Sequence, residues 1–280
     1  MSVGTFTLVR NEAQFIGPHI ERFLPFVDKM VFYDGNSTDG TLEIIKGFIE
    51  KDYNGDRIVL RENKDPKDLK GDYVRLFDEC LHELDTEWGM FVHPDMWPIN
   101  PIAIKDFGTM NEQKESQAMT TRMHSYGGEP GGQVLKFTEG RQKTWKNIFR
   151  LKNPDMDAHY VGFYGAPEED VYFRAITGDE HRYYKDRYHI YPYKIVDSWL
   201  ELMHFSDIRP YERRLGRMKT CMEHQGYSKE EIERIAPNHP RVKLEDSKNF
   251  KLSRIEDMPE YPHYLKFKES QRKYQELINA

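Results

Sequence analysis

Over its first hundred residues the chain alternates short apolar runs with stretches whose apolar residues recur at helical spacing, the pattern of a parallel α/β sheet. Val3 to Val9 reads as a first strand. Phe15, Ile16, Ile20, Phe23 and Leu24 then share one helix face, which Pro25 ends. Lys29 to Tyr33 is a second strand, and Leu42, Ile45, Phe48 and Ile49 line a second helix beginning at Gly40 or Thr41. Arg57 to Arg61 makes a third strand. Tyr73, Leu76, Phe77, Cys80, Leu81 and Leu84 give the clearest amphipathic helix, and Trp88 to Val92 a buried fourth strand that Pro94 and Pro98 cut short.

Past residue 100 the pattern loosens. Strands are expected near Ala118 to His124, Ile148 to Leu151 and Tyr188 to Val196, with a helix around Glu168 to Ile176. Tyr211, Leu215, Met218 and Met222 mark another amphipathic helix, Lys229 to Ile235 a shorter one, and Leu265 to Ile278 the last. The segment from Pro237 to Pro262 is expected to wrap the surface. No repeat or low-complexity linker appears. The simplest division is a first half over 1–100, a second over 101–208 and a helical carboxy-terminal extension over 209–280.

Composition narrows the class. With 280 residues the chain can bury a substantial core, and 41 Lys+Arg against 47 Asp+Glu leave a formal charge of -6. That balance excludes a nucleic-acid coat protein, which shows a basic domain. The 2 cysteines, Cys80 and Cys221, cannot build a disulfide framework or a four-thiolate zinc site, so a reducing, cytoplasmic setting is expected. No stretch approaches the roughly 20 apolar residues of a membrane span, the mean hydropathy is -0.82, and the opening MSVGTFTLV lacks the charged and apolar regions of a signal peptide. Aromatic residues reach 13%, and Tyr and Trp serve both cores and the faces of sugars and bases.

Two turns carry candidate chemistry. Thr7 to Glu12, TLVRNE, sets Arg10, Asn11 and Glu12 at the carboxyl end of the first strand, where open α/β sheets bind ligands. Tyr33 to Thr41, YDGNSTDGT, empties the second strand into tight turns rich in short oxygen-bearing side chains. Asp39 is placed to cap the following helix. Asp34, at the strand tip, can accept from a nucleobase N–H or a ribose hydroxyl.

With these two turns in a β-α-β frame, the chain resembles the family 2-like glycosyltransferases of the GT-A fold, a Rossmann-like, mostly parallel sheet flanked by helices. The resemblance covers residues 5 to about 98 and three later pieces. It implies that Arg10, Glu12 and Asp34 surround a nucleoside diphosphate sugar, and that Arg75, in KGDYVR, contributes to the same pocket. In FVHPDMW, Asp95 matches the second Asp of the family's D-x-D motif and His93 replaces the first. Phosphate-bound Mn²⁺ or Mg²⁺ takes hard oxygen ligands, which implies Asp95 as a metal ligand; His93 either joins it, favouring Mn²⁺, or contacts the nucleotide. In APEEDVYFRA, Asp170 matches the family's catalytic base and Glu169 lies beside it toward the acceptor. His204, in LMHFSDIRPYERR, matches a His that completes the metal site or meets the diphosphate, followed by Arg209, Arg213 and Arg214 as phosphate-screening cations. Trp97, Trp145 and Tyr164, with Tyr126 and Tyr160, are candidate sugar platforms.

The implied activity is an inverting, metal-assisted transfer from a nucleoside diphosphate sugar, UDP-sugar favoured, to a hydroxyl of a glycan or glycoconjugate. Two rivals stay open: a sugar nucleotidyltransferase, against which stands the lack of a Gly-rich basic loop after the first strand, and a non-catalytic nucleotide- or glycan-binding relative, which His93 favours. GxGxxG after the first strand, GxxxxGK[ST], HExxH and GxSxG are all absent.

Overall fold

Val3–Val9 (β1) is apolar on both sides and buried almost throughout, which makes it a central strand of a sheet covered on both faces. Lys29–Asp34 (β2), Ile58–Glu62 (β3) and Trp88–Phe91 (β4) pair parallel with it in the order β3-β2-β1-β4. The structure, a computed structural model, describes residues 2–51, 56–63, 79–80, 83–107, 118–129, 132–139, 143–153, 156–160, 173–175, 195–224, 226–244 and 251–279. Most of the helix expected over Tyr73 to Leu84 lies outside them.

Beyond β4 the pairing turns antiparallel, through Lys143–Arg150 (β8), Ala118–Gly128 (β6), Val134–Glu139 (β7) and Lys251–Arg254 (β13). Met96–Pro98 (β5) is a short strand past the Pro94 turn, and Ile195–Ile208 (β12) pairs antiparallel with it and parallel with β6. Lys152–Asn153 (β9), Met156–Tyr160 (β10) and Phe173–Ala175 (β11) form a small separate sheet. This corrects the helix expected around Glu168 to Ile176 over its described part: Phe173 stands opposite Tyr160 in an antiparallel ladder, a place a β-prone aromatic residue suits. Of the strand expected over Tyr188 to Val196, only its end is described, as the start of β12.

Ala13–Phe23 (α1) and Thr41–Lys51 (α2) join the parallel strands. Pro18 inside α1 has no N–H to give the Gln14 carbonyl, and Gln271 Nε2 donates to that carbonyl at 3.0 Å instead. Gln271 belongs to the last helix, Tyr261–Asn279, which lies along α1; Lys273 and Ser270 both reach Glu21. Gly17 makes this approach possible, since a Cβ there would stand 2.3 Å from the Tyr274 ring. The helices Tyr211–His224 and Lys229–Ile235 close a smaller core around Met218, Met222, Ile232 and Val242, with a Ser228–Glu231 capping box starting the second. Among the described residues no helix is long and apolar enough to cross a membrane.

Candidate functional site

The register of β1 and β2 is in phase, Gly4 opposite Lys29 and Val9 opposite Asp34, so both strands end level and their following turns meet. Those turns are zipped together. Asn11 N donates to Ser37 Oγ at 2.9 Å, Thr38 N to Asn11 Oδ1 at 2.8 Å, Glu12 N to Thr41 Oγ1 at 2.9 Å and Ala13 N to Asp39 Oδ2 at 3.1 Å. Asn11 and Asn36 take positive φ, 56° and 64°, a region asparagine tolerates better than most residues. Asp39 thus caps two helices: its second oxygen accepts from Thr41 N at 3.2 Å, at the start of α2. Asp34 is buried, and both its oxygens accept from Ser37, through N at 2.9 Å and Oγ at 2.5 Å. Arg10 is exposed beside this turn.

The second half of the site comes from β12. Its antiparallel pairing with β5 sets His204 opposite Met96, and Phe205 N donates to the Asp95 carbonyl at 2.9 Å. His204 therefore lies within a strand, not after it, and its Nε2 stands 3.3 Å from Asp95 Oδ1. The His93 ring lies nearly parallel to the His204 ring, centroids 5.9 Å apart. Directly past the end of β12, Arg209 Nη2 reaches three carboxylate oxygens: Glu12 Oε1 at 2.9 Å, Glu12 Oε2 at 3.0 Å and Asp95 Oδ2 at 3.1 Å. The Phe15 ring, 5.3 Å from its guanidinium carbon, and the Ser206 carbonyl hold Arg209 in place. Arg217 Nη1 donates to the Ser206 carbonyl at 2.7 Å and stands 3.8 Å from Asp95 Oδ2.

The electrostatics follow from this crowding. Burial pushes the Asp95 carboxyl up, but His204, Arg209 and Arg217 together hold it well below the usual carboxylate range. Glu12 goes the other way, to about 7: burial raises it, Arg209 opposes, and the neighbouring Asp95 charge raises it further. Burial lowers His93 to about 3, with Asp95 opposing and His204, Arg217 and Arg209 adding to the drop, so its imidazole is neutral at physiological pH. Arg209 stays firmly cationic, because Glu12 and Asp95 outweigh its burial.

Among the described residues no three His, Cys, Asp or Glu side chains converge to hold a metal by themselves. Asp95 and His204 do form a pair, Oδ1 to Nε2, and His204 Nδ1 is buried without a hydrogen-bond partner among the described residues. One carboxylate and one imidazole fit a Mn²⁺ ion whose other positions are filled by phosphate oxygens and water.

Several expectations change. Trp97 is buried, its ring covered by the Arg22 guanidinium at 5.2 Å and the edge of Phe267 at 5.6 Å, so it is core and not a sugar platform; Tyr126 is fully buried in the same cluster. Arg214 screens no phosphate: it is buried and holds the Gly128, Arg209 and Val242 carbonyls and Glu129. Arg75, Tyr164, Glu169 and Asp170, and the side chains of Trp145 and Tyr160, lie outside the described residues. Arg217 is the addition, and its signal was in the sequence: Arg213 and Arg217 are four residues apart on one helix face directly after Arg209.

A parallel block β3-β2-β1-β4, an antiparallel continuation and polar turns that meet at the carboxyl ends of β1 and β2 position the site. The architecture is a mixed α/β sheet flanked by helices. No protein-family model matches the chain, and no curated protein does. Among solved structures, 42% of the chain aligns with 34% of a mannosyltransferase from Pyrobaculum calidifontis in complex with GDP-Man and Mn²⁺, at 17% identity and a TM-score of 0.34. A glucosyl-3-phosphoglycerate synthase from Mycobacterium tuberculosis, in complex with Mn²⁺, UDP and phosphoglyceric acid, aligns over 44% of this chain and 43% of its own, at 18% identity and a TM-score of 0.33. A mannose-1-phosphate geranyltransferase from Thermus thermophilus aligns over 55% and 51%, at 10% identity and a TM-score of 0.30. The aligned part spans about half or less of each of these proteins.

Proposed function

We propose that the chain is a glycosyltransferase that moves a sugar from a nucleoside diphosphate sugar, UDP-sugar favoured, to a hydroxyl of a glycan or glycoconjugate, with inversion. The observation that carries this reading is the buried Asp95–His204 pair with Arg209 and Arg217 beside it, set at the strand ends next to the turns that hold Arg10, Glu12 and Asp34. Two guanidinium groups beside a buried carboxylate–imidazole pair suit a diphosphate that carries a divalent ion.

In this reading Arg10, Asp34 and Arg75 meet the nucleoside and His93, as a neutral imidazole, the ribose or diphosphate. Asp95 and His204 would hold the metal, which when bound supplies a Lewis acid for the departing diphosphate. Arg209 and Arg217 share the charge that develops on it. Asp170 takes the proton of the attacking hydroxyl, and Glu169, Trp145 and Tyr164 face the acceptor.

The test is incubation of the purified protein with a panel of nucleotide sugars, with and without Mn²⁺. Release of nucleoside diphosphate is the expected result. Pyrophosphate release would assign a nucleotidyltransferase, and binding without turnover across the panel a non-catalytic relative.

A further inference from the structure

Near its start β12 is irregular. Asp197 stands opposite Thr120 and Glu201 opposite Arg122, so residues 198–200 face Thr121 alone. Trp199 sits at the middle of this bulge with φ 61°, a left-handed backbone that bulky residues rarely adopt. The conformation is clamped from all sides. Trp199 N donates to Asp197 Oδ1 at 2.8 Å, Asn100 Nδ2 to the Trp199 carbonyl at 2.8 Å, and Glu201 N to Asn100 Oδ1 at 2.8 Å; Ser198 Oγ donates to the Thr120 carbonyl at 2.7 Å.

The bulge turns the indole outward. Its neighbours Ser198 and Leu200 are buried, whereas Trp199 is 54% exposed. The Arg122 guanidinium carbon lies 5.6 Å from the ring centroid, and Arg122 is itself tied to Asp197 at 3.0 Å and Glu201 at 3.9 Å. An aromatic plane is thus held in the open with a guanidinium and two carboxylates around it.

The chemistry of this surface selects a ligand. Ile102, two residues past Asn100, is the other exposed large apolar side chain of the neighbourhood among the described residues. One indole and one isoleucine fall far short of the roughly 800 Å² per partner that a stable protein contact buries. Asp197 and Glu201 repel the phosphates of a nucleic-acid strand. A sugar ring satisfies both halves of the surface: its C–H face lies on the indole and its hydroxyls meet planar carboxylate and guanidinium groups at the rim. We propose that Trp199, with Arg122, Asp197 and Glu201, is a saccharide-binding platform. Trp199 stands five positions before His204 on β12, on the order of 15 Å along a strand, so it holds a ring of an extended glycan away from the Asp95–His204 pair. The platform does not depend on the donor chemistry, and its test does not use turnover.

The experiment is saturation-transfer NMR and calorimetry with maltohexaose, mannopentaose, chitopentaose and xylohexaose on the wild-type chain, Trp199→Gly and Arg122→Ala. Glycine suits φ 61°, so Trp199→Gly removes the ring while relaxing the backbone and keeps the fold. At least one oligosaccharide should bind wild type at millimolar concentration or better. Trp199→Gly should weaken it roughly tenfold, with UDP affinity unchanged, and Arg122→Ala should weaken it less. Absence of binding across the panel, or equal binding by Trp199→Gly, overturns the proposal. So does a fall in sedimenting mass on Trp199→Gly without a change in saccharide affinity, which would assign the surface to a protein contact.

Discussion

Arg209 is the residue on which the site turns. Its Nη2 serves two carboxylates from different loops, and Asp95 is almost wholly buried. Arg209→Ala leaves that charge to His204 and Arg217 alone, and breaking a buried ion pair from one side costs roughly 3 kcal/mol. Chemical denaturation should show that loss, and Arg209→Lys should recover only part of it, because an ammonium has neither the Nε that donates to the Ser206 carbonyl nor the planar face that lies on Phe15. The paired carboxylates also set a pH dependence. Glu12, raised from 4.5 to about 7, keeps a proton in the fold that the unfolded chain has lost, so its contribution is present at low pH and disappears as pH rises through 7. Asp95, held well below 3.8, contributes the opposite way, and its share is lost as pH falls below the carboxylate range. Buried His93 and His19, lowered to about 3 and about 4, add stability as pH rises toward 6.5, so the Glu12 effect is read as a difference: between about pH 5 and pH 7.5 the thermal midpoint of wild type should fall relative to that of Glu12→Gln; parallel profiles would contradict the Glu12 assignment. For the proposed base, Asp170→Asn should lower kcat about 10²- to 10⁴-fold while the donor affinity stays within a few-fold. Single-turnover kinetics with a responsive donor check this.

At the level of elements, α1 and the last helix are joined by a contact that tolerates no side chain. Gly17→Ala places a Cβ inside the Tyr274 ring envelope, and overpacking of this kind costs about 1–3 kcal/mol. The denaturation midpoint of Gly17→Ala should fall below that of wild type by the corresponding amount. The parallel strands and α1 and α2 were legible in the sequence to within a residue or two, because strand and helix periods differ and Pro25 and the Asp39–Thr41 turn mark the ends. β13 and β12 are among those that were not. β13 is four residues, partly exposed, in a charged segment, and it is a strand only because β7 offers an edge. β12 runs 14 residues through Asp197, Glu201, His204 and Asp207, whose charges hide its period; β5 and β6, distant in sequence, determine it. The same concealment explains why Trp97 reads as a platform in sequence: the partners that bury it, Phe15, Met203 and Phe267, come from three separate elements.

Across the whole molecule, the site is an assembly of ends. The carboxyl ends of β1, β2 and β4 bring Glu12, Asp34 and Asp95, and β12 returns through the sheet to add His204, Arg209 and, further along the next helix, Arg217. The motifs at Thr7 to Glu12 and His93 to Asp95 announced the first set, since strand tips in an α/β sheet are where ligands bind. The bridging of Glu12 and Asp95 by a residue 114 positions away from Asp95 could be seen only in three dimensions. This convergence is what makes a diphosphate and its metal the proposed ligand, and calorimetric titration of UDP with and without Mn²⁺, on wild type and Asp95→Asn, tests it directly. Mn²⁺ should tighten UDP binding to wild type by at least roughly tenfold and leave Asp95→Asn unaffected. UDP affinity that responds to neither Mn²⁺ nor the substitution would contradict the assignment.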